Sequence, residues 1–513
     1  MIRWIALTMI ATAMVVVWIP AGVADYPNIR LNNDLTSEIQ NEQQIIANPL
    51  NPDNIVAVWR DFRLGYRQVG IGTSFDGGYT WTQQLLQDPN YIWQSDPGVT
   101  VDSQGNFYVV FLSYESTSLP NGLYVQKSTD GGLTWGASVE VVNGVPNVFE
   151  DKELMACDRT GSPYDGNLYV VWARFYDITI MCSRSVNGGQ SFESPLTLGG
   201  GYVQWPLAAV GPSGEVYVAW VSGPGGLRIC RSDNGGASFT SHVPIDTSAT
   251  ILADYINGDI TVFSYPAMDV DISDGPHSGR VHVAYMDDTA SNGMDLFYKF
   301  SDDGGVTWST RVRLNDDPTG VDIDQFHPWL AVNPDTGDVA VMFYDRRLDP
   351  GNLWMDVYWT HSSDGGATWS PNERITTVSS DPTAGSDFLR DRFSKIGDRF
   401  SNRAGLIGEY NGMCASGTGW NMVWTDTRGG DQDTYTAPLD FEEPCINDGD
   451  VTLDGEITAG DAQLAFLIAL GSYTPSYEEE CAADCNGDEE ITAGDAQLIF
   501  LTALGSGSCM DPL

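Results

Sequence analysis

Positive charge is what this sequence lacks most. Its 513 residues hold 25 Lys and Arg against 69 Asp and Glu, a formal net charge of −44 at pH 7. Such a chain repels phosphate backbones and anionic headgroups, which argues against nucleic-acid and membrane-surface partners. The deficit is uneven. Arg428 is the last basic residue, and the 85 residues after it carry 19 acids, a break in composition that marks a separate module. Histidine is scarce too, with five copies that form no zinc motif. Long apolar runs are missing apart from residues 4–19, which are too few for a membrane span. Arg3 precedes that run and Ala21-Gly22-Val23-Ala24 follows it, so residues 1–24 read as a signal peptide cut after Ala24. The mature chain is expected to be secreted, with no membrane insertion after cleavage, and extracellular or attached to a cell surface.

Cysteine is limited to eight, four in the long first part (Cys157, Cys182, Cys230, Cys414) and four in the acidic tail (Cys445, Cys481, Cys485, Cys509). An exported chain permits disulfides, and the tail cysteines read as staples whose pairing spacing does not decide.

What the sequence has is repetition. One octapeptide recurs six times: SFDGGYTW (74–81), STDGGLTW (128–135), SVNGGQSF (185–192), SDNGGASF (232–239), SDDGGVTW (301–308) and SSDGGATW (362–369). Asp/Asn-Gly-Gly suits a hairpin turn, because glycine accepts positive φ and Asx side chains bond the local backbone. Before each copy lies an alternating apolar strand such as NIVAVWRD (54–61) or DVAVMFYD (338–345). Before that lies a third strand, often opened by Pro, as in WPLAAV (205–210) and HPWLAV (327–332). Units open near Gln43, Asp96, Lys152, Gln204, Tyr265, His327 and Tyr410.

Repeats of this length built from short strands predict an all-β propeller of seven blades, or alternatively six, over residues 25–440. The seventh unit lacks the octapeptide and a fourth strand. NIRLNND (28–34) matches RVRLNDD (311–317), the expected fourth strand of unit five, so residues 28–33 are predicted to complete the last blade and close the ring.

The six octapeptides resemble the Asp box, or BNR repeat, of sialidases and related propellers. In that family the boxes sit on outer turns away from the active site. Chemistry is then expected at the opposite mouth, where strand two ends and strand one begins. Residues there include Asp61-Phe62-Arg63, Asp345-Arg346-Arg347, Asp426-Thr427-Arg428, Asp151-Lys152, His327 and Glu409-Tyr410.

Sialidases hold a carboxylate with three arginines and use a Tyr nucleophile with a Glu partner and an Asp acid/base. The resemblance implies Arg63, Arg347 and Arg428 as the clamp, Tyr410 as nucleophile and Glu409 as its partner across a backbone bend; no motif assigns the acid/base Asp, for which Asp61 and Asp151 are the candidates. A scaffold reading of the same residues pairs each Asp with the Arg two positions on, at the rim. The expected function is a sialidase-like glycoside hydrolase acting on extracellular glycans; the alternative is a non-catalytic glycan-binding or protein-binding propeller.

The tail carries two near-identical copies, ITAGDAQLAFLIALGS (457–472) and ITAGDAQLIFLTALGS (491–506), each after an oxygen-rich loop. Loop one places Asp450, Thr452, Asp454, Glu456, Thr458 and Asp461 at positions 1, 3, 5, 7, 9 and 12; loop two places Asp484, Asn486, Asp488, Glu490, Thr492 and Asp495 there. This is the ligand spacing of a calcium loop. Duplicated loops ending in Asp resemble a dockerin, a small all-α calcium-binding module with paired EF-hand-like loops, over residues 445–513. The resemblance implies two Ca2+ ions and a cohesin-type scaffold protein as partner. Glu489 stands where such a loop usually turns on Gly.

Overall fold

A computed structural model describes residues 26–115, 120–223, 226–249, 254–289, 293–384, 407–439 and 448–509, apart from residues 259, 409, 418, 454, 456, 474, 476 and 487–490. The chain divides into two compact units, the second taking Leu439–Leu513 together with the short stretch Ser416–Trp420.

The first unit contains seven antiparallel four-stranded sheets, settling the blade number at seven. Blade one runs Gln40–Asn48, Asn51–Asp61, Gln68–Ser74 and Thr82–Leu85. The other six open on Trp93–Val101, Phe149–Cys157, Tyr202–Val210, Ala267–Val270, Gln325–Val332 and Gly412–Ser416. These first strands touch one another around the axis, and residues from all seven line one axial cavity. The second strands are nearly unbroken apolar runs because both faces of each sheet are covered by neighbouring blades. Trp59, Trp172, Trp220 and Trp424 occupy equivalent places on them and are fully buried.

The ring is closed by the N-terminal strand Ile29–Arg30, which pairs antiparallel with Asp433–Leu439, Ile29 facing Thr436. The likeness between residues 28–34 and 311–317 is realised group by group. The Asn32 amide donates to Asp34, Gln40 and Asp433; the Asn315 amide donates to Asp317, Gln325 and Asp295. Arg30 pairs with Asp433 as Arg313 pairs with Asp295, both at 2.7 Å.

Each octapeptide joins strands three and four, on the side away from the strand-one openings. In the box at Ser301, the serine Oγ donates to Asp303 at 2.9 Å and accepts the Gly305 N–H at 2.9 Å. Asp303 in turn accepts from the Thr307 N–H and hydroxyl. Where Asn replaces Asp, at Asn187 and Asn234, its amide donates to a serine hydroxyl instead. The second glycine is sterically required: at Gly366, φ is 87° and a Cβ would lie 2.0 Å from the Tyr298 hydroxyl.

The second unit holds three helices, Ala459–Ala469, Tyr477–Ala483 and Ala493–Ala503, around buried Val451, Ala465, Ala483, Ala496 and Ile499. Cys485 and Cys509 form a disulfide, whereas Cys157, Cys182, Cys230 and Cys414 are buried free thiols in the propeller. Among the described residues no helix is long and apolar enough to cross a membrane. The signal-peptide expectation falls on residues outside those described.

Candidate functional site at the channel mouth

Five of the seven strand-one openings share a backbone irregularity. In blades one, two, three, four and six the ladder to strand two slips by one residue, at Asn41/Gln44, Ser95/Gly98, Asp151/Leu154, Gln204/Leu207 and Phe326/Trp329. At each slip a non-glycine residue takes a left-handed conformation: Glu42 (φ 57°), Asp96 (50°), Lys152 (59°), Trp205 (49°) and His327 (48°). Such a conformation costs about 1–3 kcal/mol per residue, and a bulge re-aims the side chain it carries. Pro97, Pro206, Pro266 and Pro328 follow the bulged or equivalent residue, a place where a missing N–H costs no ladder bond. Tyr265 and Tyr410 occupy the same position in blades five and seven. The mouth is therefore ringed by one such residue per blade.

The ring divides into a charged half and an aromatic half. In the charged half, Lys152 Nζ lies 2.9 Å from Asp96 Oδ2 and 3.9 Å from Glu42 Oε1, and Arg60 Nη1 lies 3.1 Å from Glu42 Oε1. Lys152 also sits 5.4 Å over the Tyr410 ring. From there rings follow in sequence: Tyr410 to Tyr265 at 6.4 Å, Tyr265 to His327 at 5.8 Å, His327 to Phe263 at 6.3 Å and Phe263 to Trp205 at 4.2 Å. Glu42, Asp96, Trp205, Tyr265, His327 and Tyr410 are all buried, and Lys152 is half-buried.

Two carboxyl groups here are driven apart. Burial raises the Asp96 carboxyl, but the Lys152 ammonium and Arg60 guanidinium outweigh it and hold the group well below the usual range. Glu153, fully buried beside Lys152, is pushed well above its ordinary value by burial and by the charges of Asp96 and Asp151. Neither Glu153 carboxyl oxygen has a hydrogen-bond partner among the described residues. Below the mouth the axial cavity is about 150 Å³, walled by Met155, Leu207, Met268, Trp329 and Met413 among others. That is under the about 300–1,000 Å³ of ordinary ligand pockets.

The arginines named from sequence are held differently. Asp61 accepts the Trp59 indole N–H at 2.8 Å, the Arg63 backbone N–H at 2.8 Å and the Arg63 guanidinium at 2.7 Å. Asp426 does the same for Trp424 and Arg428. Asp345 holds Arg347 at 2.7 Å, while that guanidinium also reaches Asp316 and Asn372 beside the outer strands. Arg428 reaches Asn28 and Thr377, again beside outer strands. Each guanidinium is thus bound within its own Asp-x-Arg unit, and their described contacts share no common target. Tyr410 joins the mouth cluster; Glu409 falls outside the described residues. Glu42, Arg60, Asp96, Glu153, Trp205 and Phe263 join the same cluster and are candidate site residues that motif reasoning did not select. The signal for several of them was the repeated opening of strand one, one position per unit.

In the tail, each loop ends on a fully buried carboxylate at the third position of a helix. Asp461 caps back onto Thr458 and accepts from the Thr452 N–H and hydroxyl at 2.8 Å; Asp495 accepts from Thr492 and from the Asn486 N–H. The Gly455 N–H donates to Asp450 Oδ2 at 2.7 Å, which curls loop one around its first carboxylate. Asp450, Thr452, Asp461, Asp484, Asn486 and Asp495 offer hard oxygen donors on two tightly turned loops, and this donor chemistry fits calcium. Asp454, Glu456, Asp488 and Glu490 lie outside the described residues.

Residues 448–500 match the dockerin type I domain, a family whose members bind calcium and attach to cohesin-bearing scaffolds. No curated protein matches the sequence significantly. Similar solved structures include a leech intramolecular trans-sialidase (12% identity, 69% of this chain and 70% of that chain, TM-score 0.46). They also include a Hadza microbial sialidase (16%, 59% and 63%, TM-score 0.41) and a Penicillium chrysogenum α-L-arabinanase (11%, 81% and 98%, TM-score 0.44). The chain joins a seven-bladed all-β propeller to a C-terminal segment that matches the dockerin type I domain.

Proposed function

We propose that this is a secreted glycoside hydrolase of sialidase-like architecture, working on extracellular glycans at the channel mouth and held on a cohesin scaffold by a dockerin that binds two Ca2+ ions. The observation that carries the catalytic part is a pair of mouth carboxyl groups in opposite environments: Glu153 is fully buried with neither oxygen hydrogen-bonded among the described residues, which pushes its carboxyl up, while Asp96 lies 2.9 Å from the Lys152 ammonium, which pulls its carboxyl down. Glycosidases need this division, because one group must give a proton while charge of the opposite kind is stabilised nearby. Glu153 is the proton donor in this reading. Tyr410 is the nucleophile, with the Lys152 ammonium 5.4 Å over its ring, and Asp96 fixes Lys152. Arg63, Arg347, Arg428 and Asp61 build the rim, and Glu409 remains the partner candidate for Tyr410.

In this reading calcium orders the tail loops and takes no part in glycan chemistry. Asp450, Asp461, Asp484 and Asp495 would hold it, with Asp454, Glu456, Asp488, Glu490, Thr452 and Asn486 completing the two shells.

The test is turnover of fluorogenic sialic acid, arabinofuranoside and hexopyranoside substrates by the full chain. Wild type is expected to turn over one of them, and Tyr410→Phe and Glu153→Gln to lose about 100-fold or more while melting normally. A second reading, a non-catalytic glycan-binding propeller, is favoured by the mutual burial of the mouth side chains. Glycan-array binding without turnover, abolished by Trp205→Ala, would replace the first reading with the second.

A further inference from the structure

Between blades four and five the chain makes a detour that no other blade shows among the described residues. Asp254–Ile256 and Ile260–Val262 form a two-stranded hairpin joined to none of the seven blade sheets. Its underside, Ile256, Ile260 and Val262, is buried, and Tyr255 is exposed. The hairpin reaches the loops of blade six: Arg346, itself fully buried, donates to the Asn257 carbonyl at 2.9 Å, and the Asn257 amide donates to the Gly351 carbonyl at 2.9 Å.

Phe263 follows immediately. A tight turn, with the Tyr265 N–H donating to the Phe263 carbonyl at 3.0 Å, points the chain back into strand one. The Phe263 ring packs against Trp205 at 4.2 Å and lies nearly parallel to His327, at 6.3 Å and 6°. It is the one link in the aromatic half of the mouth that comes from the detour and not from a strand-one opening. The Trp205 indole N–H beside it is buried and has no hydrogen-bond partner among the described residues, on a residue held in a strained conformation. A buried donor without an acceptor costs free energy that an incoming hydroxyl would recover.

We propose that the strand pair Asp254–Ile256 and Ile260–Val262 is a built-in lid and that Phe263 is a plug occupying the place of a sugar ring between Trp205 and His327. The inference rests on the glycan reading above for the identity of the occupant, but the plug itself does not. A sugar ring stacked on Trp205 with a hydroxyl accepting from its indole N–H fits this slot, and the lid swings away through rupture of the Arg346–Asn257 and Asn257–Gly351 bonds. A two-stranded hairpin of three-residue strands is marginal on its own, so those contacts set how often it opens. The plug lowers apparent affinity by the fraction of time the slot is closed.

The test titrates full-length wild type and Phe263→Ala with phenol and with the disaccharides sialylgalactose, arabinobiose and xylobiose, read by tryptophan fluorescence and calorimetry. The variant is expected to bind phenol in the vacated space and one disaccharide about tenfold or more tighter than wild type. Phenol bound with no disaccharide would keep the plug and overturn the glycan reading. A disaccharide bound equally by both proteins would overturn the plug and leave the glycan reading standing. Binding of neither probe to a folded variant would overturn the inference. Should Phe263→Ala fail to fold, hydrogen exchange on wild type decides: hairpin amides are expected to exchange about tenfold or more faster than those of Val281–Thr289, and equal protection would overturn the lid.

Discussion

Glu153 shows how one buried residue sets a pH response. Its folded-state proton affinity is raised above that of the unfolded chain, so native protein binds the extra proton. Its favourable contribution is complete below the unfolded carboxyl range, near pH ~4, and is lost as pH rises through the folded value. Asp96 runs the other way: its ion pair with Lys152 contributes above that range and is lost as pH falls. Denaturant titrations from pH 4 to 9 should therefore show wild-type stability declining toward alkaline pH, and a flatter profile for Glu153→Gln. An unchanged slope in the variant would remove Glu153 from the account. The sequence displayed Asp151-Lys152 as a mouth pair but hid Glu153, because nothing local says which neighbour of a bulge turns inward. The Asp-x-Arg units were legible in the opposite sense: two-residue spacing on a strand is enough to predict a self-contained pair, and Asp61–Arg63 and Asp426–Arg428 are such pairs.

At the scale of elements, the closing strand and the box turns carry the stability of the ring. Asn32 and Asn315 hold matching three-acceptor networks, so Asn32→Ala and Asn315→Ala should cost similar amounts, about 1–3 kcal/mol each, from the buried acceptors left unsatisfied. Thermal and denaturant melts would check this; a clearly smaller loss for Asn32→Ala would mean that the N-terminal strand is held less firmly than an internal one. Ser301→Ala, which removes both an acceptor for Gly305 and a donor to Asp303, should cost about 1 kcal/mol. These elements were readable because repetition makes the alignment internal: the match between NIRLNND and RVRLNDD already named the missing strand. The strand pair Asp254–Ile256 and Ile260–Val262 was not readable. It occurs once, so no sister copy marks it, and its three-residue strands fall below any period that a pattern could reveal.

At the scale of the whole molecule, the protein is a seven-bladed ring and a small dockerin-matching module on one chain, and in the proposed reading the two should answer to different variables. Calorimetry of the full chain in calcium is expected to show separate transitions. EDTA should lower the tail transition and erase its helical circular dichroism while leaving the propeller transition in place, with calcium restoring both signals. Helical signal that survives EDTA unchanged would contradict ion-dependent folding of the loops ending at Asp461 and Asp495. The free thiols Cys157, Cys182, Cys230 and Cys414 should stay unreactive to a thiol reagent until the ring unfolds, since burial raises each of them and hides it.

Seven copies of one sheet leave one place where unlike side chains from every copy meet, and that place is where the glycan should act. Hydrogen-exchange footprinting of the full chain with a bound oligosaccharide examines this directly. Protection at residues 41–43, 95–98, 151–154, 204–206, 263–266, 326–328 and 410–411 is the predicted result. Protection confined to the box turns on the opposite face, with the mouth unchanged, would contradict it.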